Sequence, residues 1–222
     1  MAKTLDLIGE RWTLLVIREL ALGPKRYTDI LDGLPGMNTT LLAQRLRDLE
    51  ADGIVRRRTL PPPAASTVYE LTENGVELAW ALLPLVHWGA RHVLGSRGAD
   101  EAFNVEWPLL ALSASIDAKR LRRVTAIYEF HVDGSVGHIT IDRGRVHVDA
   151  GPAPSPPDVT LRSDVETFVG VGLGRLDAAE MAAAGKLSVE GAPEAVATFA
   201  SIFGEPSVPS SRAQRPNIVP RR

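Results

Sequence analysis

The 222-residue sequence contains no cysteine. That absence removes disulfides, thiolate metal ligands, cysteine nucleophiles and thiol-based redox sensing together. No run of 18 apolar residues occurs, so a membrane-spanning helix is not expected and no membrane partner is assigned. There is no basic surplus either: the formal net charge is −2, which does not advertise a nucleic-acid binder. The start, Met1-Ala2-Lys3-Thr4, leads straight into an amphipathic pattern with Asp6 and Glu10 and shows no signal-peptide core, so the expected location is cytoplasmic. No catalytic constellation is visible and no cofactor is expected. The five histidines, His87, His92, His131, His138 and His147, are scattered. His138 and His147 are expected to face each other across a hairpin, but no acid or cysteine ligand converges on them, so no metal site is assigned. Asp133-Gly134-Ser135 reads as a turn rather than a nucleophile elbow.

What remains is the balance of an ordinary globular protein, 45% hydrophobic and 23% charged, long enough for one large domain or two small ones. Charge is unevenly spread. Residues 1–95 hold 11 basic and 11 acidic residues, 97–204 hold 10 basic and 15 acidic, and 205–222 hold 4 basic and 1 acidic. The acidic middle would repel DNA, so any DNA contact must come from local clusters in the first part.

Leu5, Ile8, Trp12 and Leu15 recur at helical spacing, which predicts one helix over 4–21 with Thr4 as its cap, ended by Gly23-Pro24. A short helix, Tyr27–Asp32, stops at Gly33-Leu34-Pro35-Gly36. Asn38 then caps a helix running to about Ala51, closed by Gly53. Residues 54–60 and 66–71 read as two strands joined by a proline-rich turn. Thr72 caps a long helix from Glu73 to about Leu94 that contains Pro84. The order of helix, helix, helix, hairpin and helix is that of a winged helix-turn-helix.

The helix after Asn38 divides sharply. Leu42, Leu46 and Leu49 make an inner stripe, while Thr40, Gln44 and Arg47 make the opposite one. A recognition helix needs that division, because its polar side chains must reach base edges in the major groove. Asn38, Thr39 and Thr40 stand at its start, where an anion is favoured, and Arg45 on the flank suits a phosphate or a guanine. Arg56, Arg57 and Arg58 on the first strand fit a wing lying along the phosphate backbone. The bland alternatives are a solvated helix face and a solubilising edge strand.

The segments Leu5-Asp6-Leu7-Ile8-Gly9-Glu10-Arg11-Trp12-Thr13-Leu14-Leu15, Gly23-Pro24-Lys25-Arg26-Tyr27, Arg45-Leu46-Arg47-Asp48-Leu49-Glu50-Ala51-Asp52-Gly53-Ile54-Val55 and Val68-Tyr69-Glu70-Leu71-Thr72-Glu73-Asn74-Gly75 resemble the HxlR-type winged-helix regulators over roughly residues 3–95. The resemblance implies a transcriptional regulator, by default a repressor, bound as a homodimer to a pseudo-palindromic duplex. It implies pairing through the first and last helices, for which Leu5, Ile8, Trp12, Trp80, Leu83, Val86, His87 and Trp88 are the candidates. The competing reading packs the second apolar stripe on the following domain. HxlR-type sensors of electrophiles use a cysteine near the N-terminus; with none here, thiol switching is not expected.

Residues 96–106 read as a linker and 205–222 as a disordered Pro- and Arg-rich tail. Between them, 107–204 reads as an α+β domain. Strands are expected at 125–132, 136–142, 145–149, 158–161 and 186–190, with turns at Asp133-Gly134 and Arg143-Gly144. Helices are expected at 163–171, 177–184 and 192–203. The run from Gly174 to Asp177, with Gly185-Lys186-Leu187-Ser188-Val189-Glu190-Gly191, is similar to the sterol-carrier-protein-like domains. That resemblance implies a five-stranded sheet with helices over an apolar tunnel, and a hydrophobic small molecule as effector. Phe130, Ile139, Ile141, Val146, Phe168, Leu173, Leu176, Met181, Leu187, Phe199 and Phe203 would line it, or would simply fill a core. The overall class is therefore α+β, a winged helix-turn-helix followed by a ligand-binding-like domain. The alternative function is a lipid carrier whose winged helix mediates protein contacts.

Overall fold

The computed structural model describes residues 2–63, 65–92, 103–114, 116, 118–204 and 217–218. The chain divides into two compact units, one through Leu82 and one from Leu83 onward.

The first unit opens with α1 (Ala2–Ile8) and α2 (Thr13–Ala21), continues with α3 (Tyr27–Asp32) and α4 (Thr39–Ala51), and closes with β1 (Val55–Thr59) and β2 (Thr67–Leu71). Helix α5 (Glu73–His92) begins in this unit. The single helix expected over 4–21 is two helices, and Thr4 lies inside α1 rather than capping it. The break falls at Gly9. Its N–H still donates to Leu5 O at 2.7 Å, but a Cβ there would stand 2.5 Å from that oxygen. Glycine permits the close approach and weakens the helix at this point. The apolar spacing was therefore real but belongs to two successive helices.

Val16, Ile17 and Leu20 of α2 meet Ile30 of α3 and Leu42, Leu46 and Leu49 of α4, each at most 2% exposed. Asn38 caps α4, its side-chain oxygen accepting from Leu41 N at 2.8 Å. Gly53, at φ +69, ends it in a Schellman arrangement: Ile54 N donates to Leu49 O at 2.9 Å and Gly53 N to Glu50 O at 3.2 Å. Strands β1 and β2 pair antiparallel from Val55 opposite Leu71 to Thr59 opposite Thr67. Lys25 adds a further rung beside Tyr69. Thr72 caps α5, accepting from Gly75 N.

The second unit contains α6 (Glu106–Ala114), α7 (Ala118–Leu121), β3 (Thr125–Val132), β4 (Ser135–Asp142), β5 (Arg145–Ala150), β6 (Val159–Ser163), α8 (Val165–Gly172), α9 (Ala178–Ala183), β7 (Leu187–Gly191), α10 (Pro193–Phe203) and β8 (Asn217–Ile218). The sheet order is β7-β6-β3-β4-β5, with β8 beside β5. Pairing is antiparallel except for β3–β6 and β5–β8. Both hairpin turns fall where expected. Asp133-Gly134 (φ +44 and +83) and Arg143-Gly144 (φ +46 and +90) are two-residue loops with positive φ at both positions.

Period-two alternation gives the sheet one apolar face. Tyr128, Phe130, Val132, Ile139, Ile141 and Val146 are at most 1% exposed. Helix α6 packs on this face over Gly137, where a Cβ would stand 2.7 Å from Val105. The opposite face is polar. His138 and His147 do not face each other: His138 stands opposite Asp149, and His147 opposite Thr140, one rung along. The register was offset by two residues because the turn at Arg143-Gly144 fixes it. Most of the expected linker and most of the expected disordered tail lie outside the described residues. Of the tail, Asn217–Ile218 pair parallel to β5.

Candidate nucleic-acid interface

Helices α3 and α4 with the turn 33–38 form the helix-turn-helix. The α4 stripe of Leu42, Leu46 and Leu49 anchors the helix, which leaves Asn38, Thr39, Thr40, Gln44 and Arg47 exposed on the outside. The turn is held from below. Glu19 of α2 is 2% exposed, yet it carries a carboxylate, paired with Lys25 at 2.6 Å and Arg18 at 3.0 Å. Gly33 lies directly over it: a Cβ there would stand 2.5 Å from the carboxylate oxygen. Tyr27 donates to the Thr39 carbonyl at the start of α4. These contacts fix the entry of α4, and none was anticipated from the sequence. A buried glutamate at an otherwise apolar helical position was the available signal.

The outward side chains are partly engaged with one another. Arg47 donates to Gln44 Oε1 at 2.7 Å, and Gln44 donates to Asp48 Oδ1 at 2.7 Å. Arg45 is only 19% exposed and is bracketed by Asp48 at 3.3 Å and Glu10 at 3.1 Å. Its charge is therefore neutralised locally, and its contact with Glu10 ties α4 to the segment between α1 and α2. Asn38 uses its oxygen as the helix cap, leaving its amide N–H groups for other partners. Thr39 and Thr40 have no side-chain hydrogen bond among the described residues.

The wing separates its three arginines. Arg56 and Arg58 both donate to the Glu70 carboxylate, at 2.7 and 2.9 Å. Burial alone would raise the Glu70 pKa, but hydrogen bonds from Arg58 and Arg56 and their charges outweigh it and hold the carboxyl below its ordinary value. Arg57 points to the other side, opposite Tyr69, is exposed, and forms no ion pair or side-chain hydrogen bond among the described residues. Arg26, at the start of α3, donates to Ser66 Oγ at 3.2 Å near the wing tip. The wing's net positive charge is thus smaller than three arginines suggest, and Arg57 is its free member.

The other candidate sets are placed as follows. Leu5 is 53% exposed; Ile8 and Trp12 are half-buried, and Trp12 packs against the first core. On α5, Trp80 and Leu83 are half-buried, while Val86 and Trp88 are 52% and 55% exposed. The His87 side chain lies outside the described residues. In the second unit, Phe130, Ile139, Ile141 and Val146 are fully buried, with Phe168 and Leu187 nearly so. Leu173, Leu176, Met181, Phe199 and Phe203 are half-buried. Several of these rings touch: Phe130 with Phe168 at 5.9 Å, Phe199 with Phe203 at 4.8 Å, and Tyr128 with Phe199 at 5.2 Å between centroids. The apolar set thus packs on itself around Tyr128 of β3. No group of three or more metal-ligating side chains occurs among the described residues. No described helix is long and apolar enough to cross a membrane.

The fold and the exposed α4 face define a winged helix-turn-helix protein of the regulator class. Residues 7–96 match the HxlR-like helix-turn-helix family, and residues 109–204 match the SCP-2 sterol transfer family. The regulator YodB of Bacillus subtilis (strain 168), described as an HTH-type transcriptional regulator, is 36% identical over 88 residues, which cover 40% of this chain and 79% of YodB. The uncharacterised HTH-type regulator YtcD of the same organism is 36% identical over 102 residues, covering 46% of this chain and 79% of YtcD. The solved reduced form of YodB is 34% identical, covers 42% of this chain and 91% of its own, and has a TM-score of 0.39. The chain belongs to the HxlR-like helix-turn-helix family, with an SCP-2 sterol transfer domain in its second half.

Proposed function

We propose that this protein is a cytoplasmic transcriptional regulator, acting as a repressor, that binds a pseudo-palindromic duplex as a homodimer. The observation that carries this reading is the division of α4: Leu42, Leu46 and Leu49 are buried while Thr39, Thr40, Gln44 and Arg47 are exposed. Arg47 and Gln44 read base edges in the major groove. The α4 N-terminus with Thr39 and Thr40 takes a phosphate, as helix N-termini do. Arg57 follows the backbone through charge, with Arg56 and Arg58 contributing only what Glu70 leaves over. Arg45 serves chiefly to hold α4 through Glu10 and Asp48. Dimerisation uses the exposed apolar side chains of the first and last helices of the winged-helix domain, Leu5, Val86 and Trp88 among them.

The second domain is assigned a hydrophobic small-molecule effector. The support is the SCP-2 match together with the aromatic and aliphatic set around Tyr128 and Phe130. An apolar ligand has to part those rings to enter, and the change it makes there biases DNA affinity only through a difference between two states of the dimer. Gel shifts with the DNA upstream of the protein's own reading frame, with and without hydrophobic ligands, test both parts. A specific shift that ligand weakens or strengthens supports them. Binding indistinguishable from that of random duplex rejects the regulator reading.

A further inference from the structure

On the polar face of the sheet, the register sets His131 of β3 beside Arg162 of β6, and Arg162 beside Ser188 of β7. Neighbouring strands lie about 4.8 Å apart, so the three side chains form a row across the sheet. Lys186, just before β7, borders the same place. Together they border a shallow, open depression of about 660 Å³.

The carboxylates of this cleft are bound to backbone N–H groups rather than to its two cations. Asp133 and Asp164 also line it, but each accepts from a backbone N–H, Asp133 from Val165 at 2.9 Å and Asp164 from Thr167 at 2.6 Å. The next rung carries Glu129 and Glu190. Glu129 binds His131 at 2.7 Å and Ala153 N at 2.7 Å, and Glu190 accepts from Ser188 at 3.1 Å. Arg162 and Lys186 are exposed and form no ion pair or side-chain hydrogen bond among the described residues. Arg162 and Lys186 thus stand as two cations without an ion pair among the described residues, in a stretch with 15 acidic and 10 basic residues between 97 and 204.

We propose that this cleft binds the phosphate group of a small organophosphate, on the face of the sheet opposite the apolar interior. The Arg162 fork takes two oxygens, and the Lys186 ammonium takes a third as a point charge. The Ser188 hydroxyl supplies a neutral contact. Carboxylates already held by backbone amides need not be displaced. The site is separate from the apolar effector reading and survives its failure.

The test is calorimetric titration of the full chain, at constant ionic strength in chloride, with inorganic phosphate and with glycerol 3-phosphate. A parallel arm uses vesicles of phosphatidylcholine with and without phosphatidic acid. Saturable binding of the soluble phosphates is expected. Arg162→Gln and Lys186→Gln should each weaken it roughly tenfold or more, the loss usual for a charge-assisted hydrogen bond, and Arg145→Gln should leave it unchanged. Vesicle binding that requires phosphatidic acid, competes with free phosphate and disappears in the same two variants would identify the phosphate as a lipid headgroup. No saturable binding in either arm, or binding that both variants retain, overturns the proposal.

Discussion

Arg56 stands directly opposite Glu70 in the wing and donates to its carboxylate at 2.7 Å, while Arg58 reaches the same carboxylate at 2.9 Å. One buried acid therefore masks two of the wing's three cations. The Glu70→Gln variant should bind random duplex more tightly than wild type at low salt. Its log-affinity against log-salt plot should steepen by about 1 to 2, since each added phosphate contact contributes about 0.9. Fluorescence anisotropy across a salt series checks this. An unchanged slope would mean that Glu70 does not govern the wing's charge.

The same carboxylate sets a pH dependence. Its folded pKa lies below the ordinary value of 4.5 because the arginine contacts outweigh the opposing effect of burial. Stability from ionised Glu70 is therefore present above 4.5 and is lost as pH falls through the lower folded value. Urea unfolding of wild type and Glu70→Gln should give a stability difference that is constant near neutrality and shrinks below pH 4.5. A difference that grows on acidification would contradict the assignment.

Gly33 rests on the Glu19 carboxylate, with room for no Cβ. Gly33→Ala should push that carboxylate off Lys25 and Arg18, and the overpacking should cost about 1–3 kcal/mol. Because the turn positions α4, DNA affinity should fall along with the midpoint of thermal unfolding. Exposed Gly36→Ala is not a suitable control, since Gly36 has φ +88. Glu50→Ala, exposed in the last turn of α4, is the better one.

The sequence reveals most of the architecture because period and turn chemistry act locally. Asp133-Gly134, Arg143-Gly144 and Gly53 each occupy the positive φ their position demands. The Leu42, Leu46 and Leu49 stripe alone located the hidden side of α4. What escaped the sequence depends on pairings far apart in the chain. Glu19 under Gly33, Glu10 on Arg45 and Glu70 between two arginines join residues that no local pattern connects. The break at Gly9 was missed because apolar spacing continues across it. The offset of His138 from His147 was legible in the sequence, since counting back from the Arg143-Gly144 turn pairs His147 with Thr140 and His138 with Asp149.

Tyr128 is 1% exposed, and its hydroxyl has no hydrogen-bond partner among the described residues. Burial, with the nearby Asp158 charge, pushes its pKa up to about 12 from 10.0. The neutral phenol is therefore favoured by folding. Stability should be full below pH 10 and should fall as pH rises towards 12, where the unfolded chain ionises first. Tyr128→Phe should remove that alkaline loss and leave stability at neutral pH equal or about 1 kcal/mol higher, since an unpaired buried hydroxyl is lost. Alkaline denaturation followed by circular dichroism distinguishes the two chains; identical alkaline profiles would contradict the placement of this ring.

The most direct test of the account compares Arg47→Ala with Arg57→Ala on the operator and on random duplex over a range of salt. Arg47→Ala should cost about 1–3 kcal/mol on the operator, relax preference at one or two base pairs and barely change random binding. Arg57→Ala should weaken both duplexes alike and flatten the salt slope by about 1. Equal losses on operator and random DNA for both variants, or full operator affinity in Arg47→Ala, would contradict α4 as the reading helix.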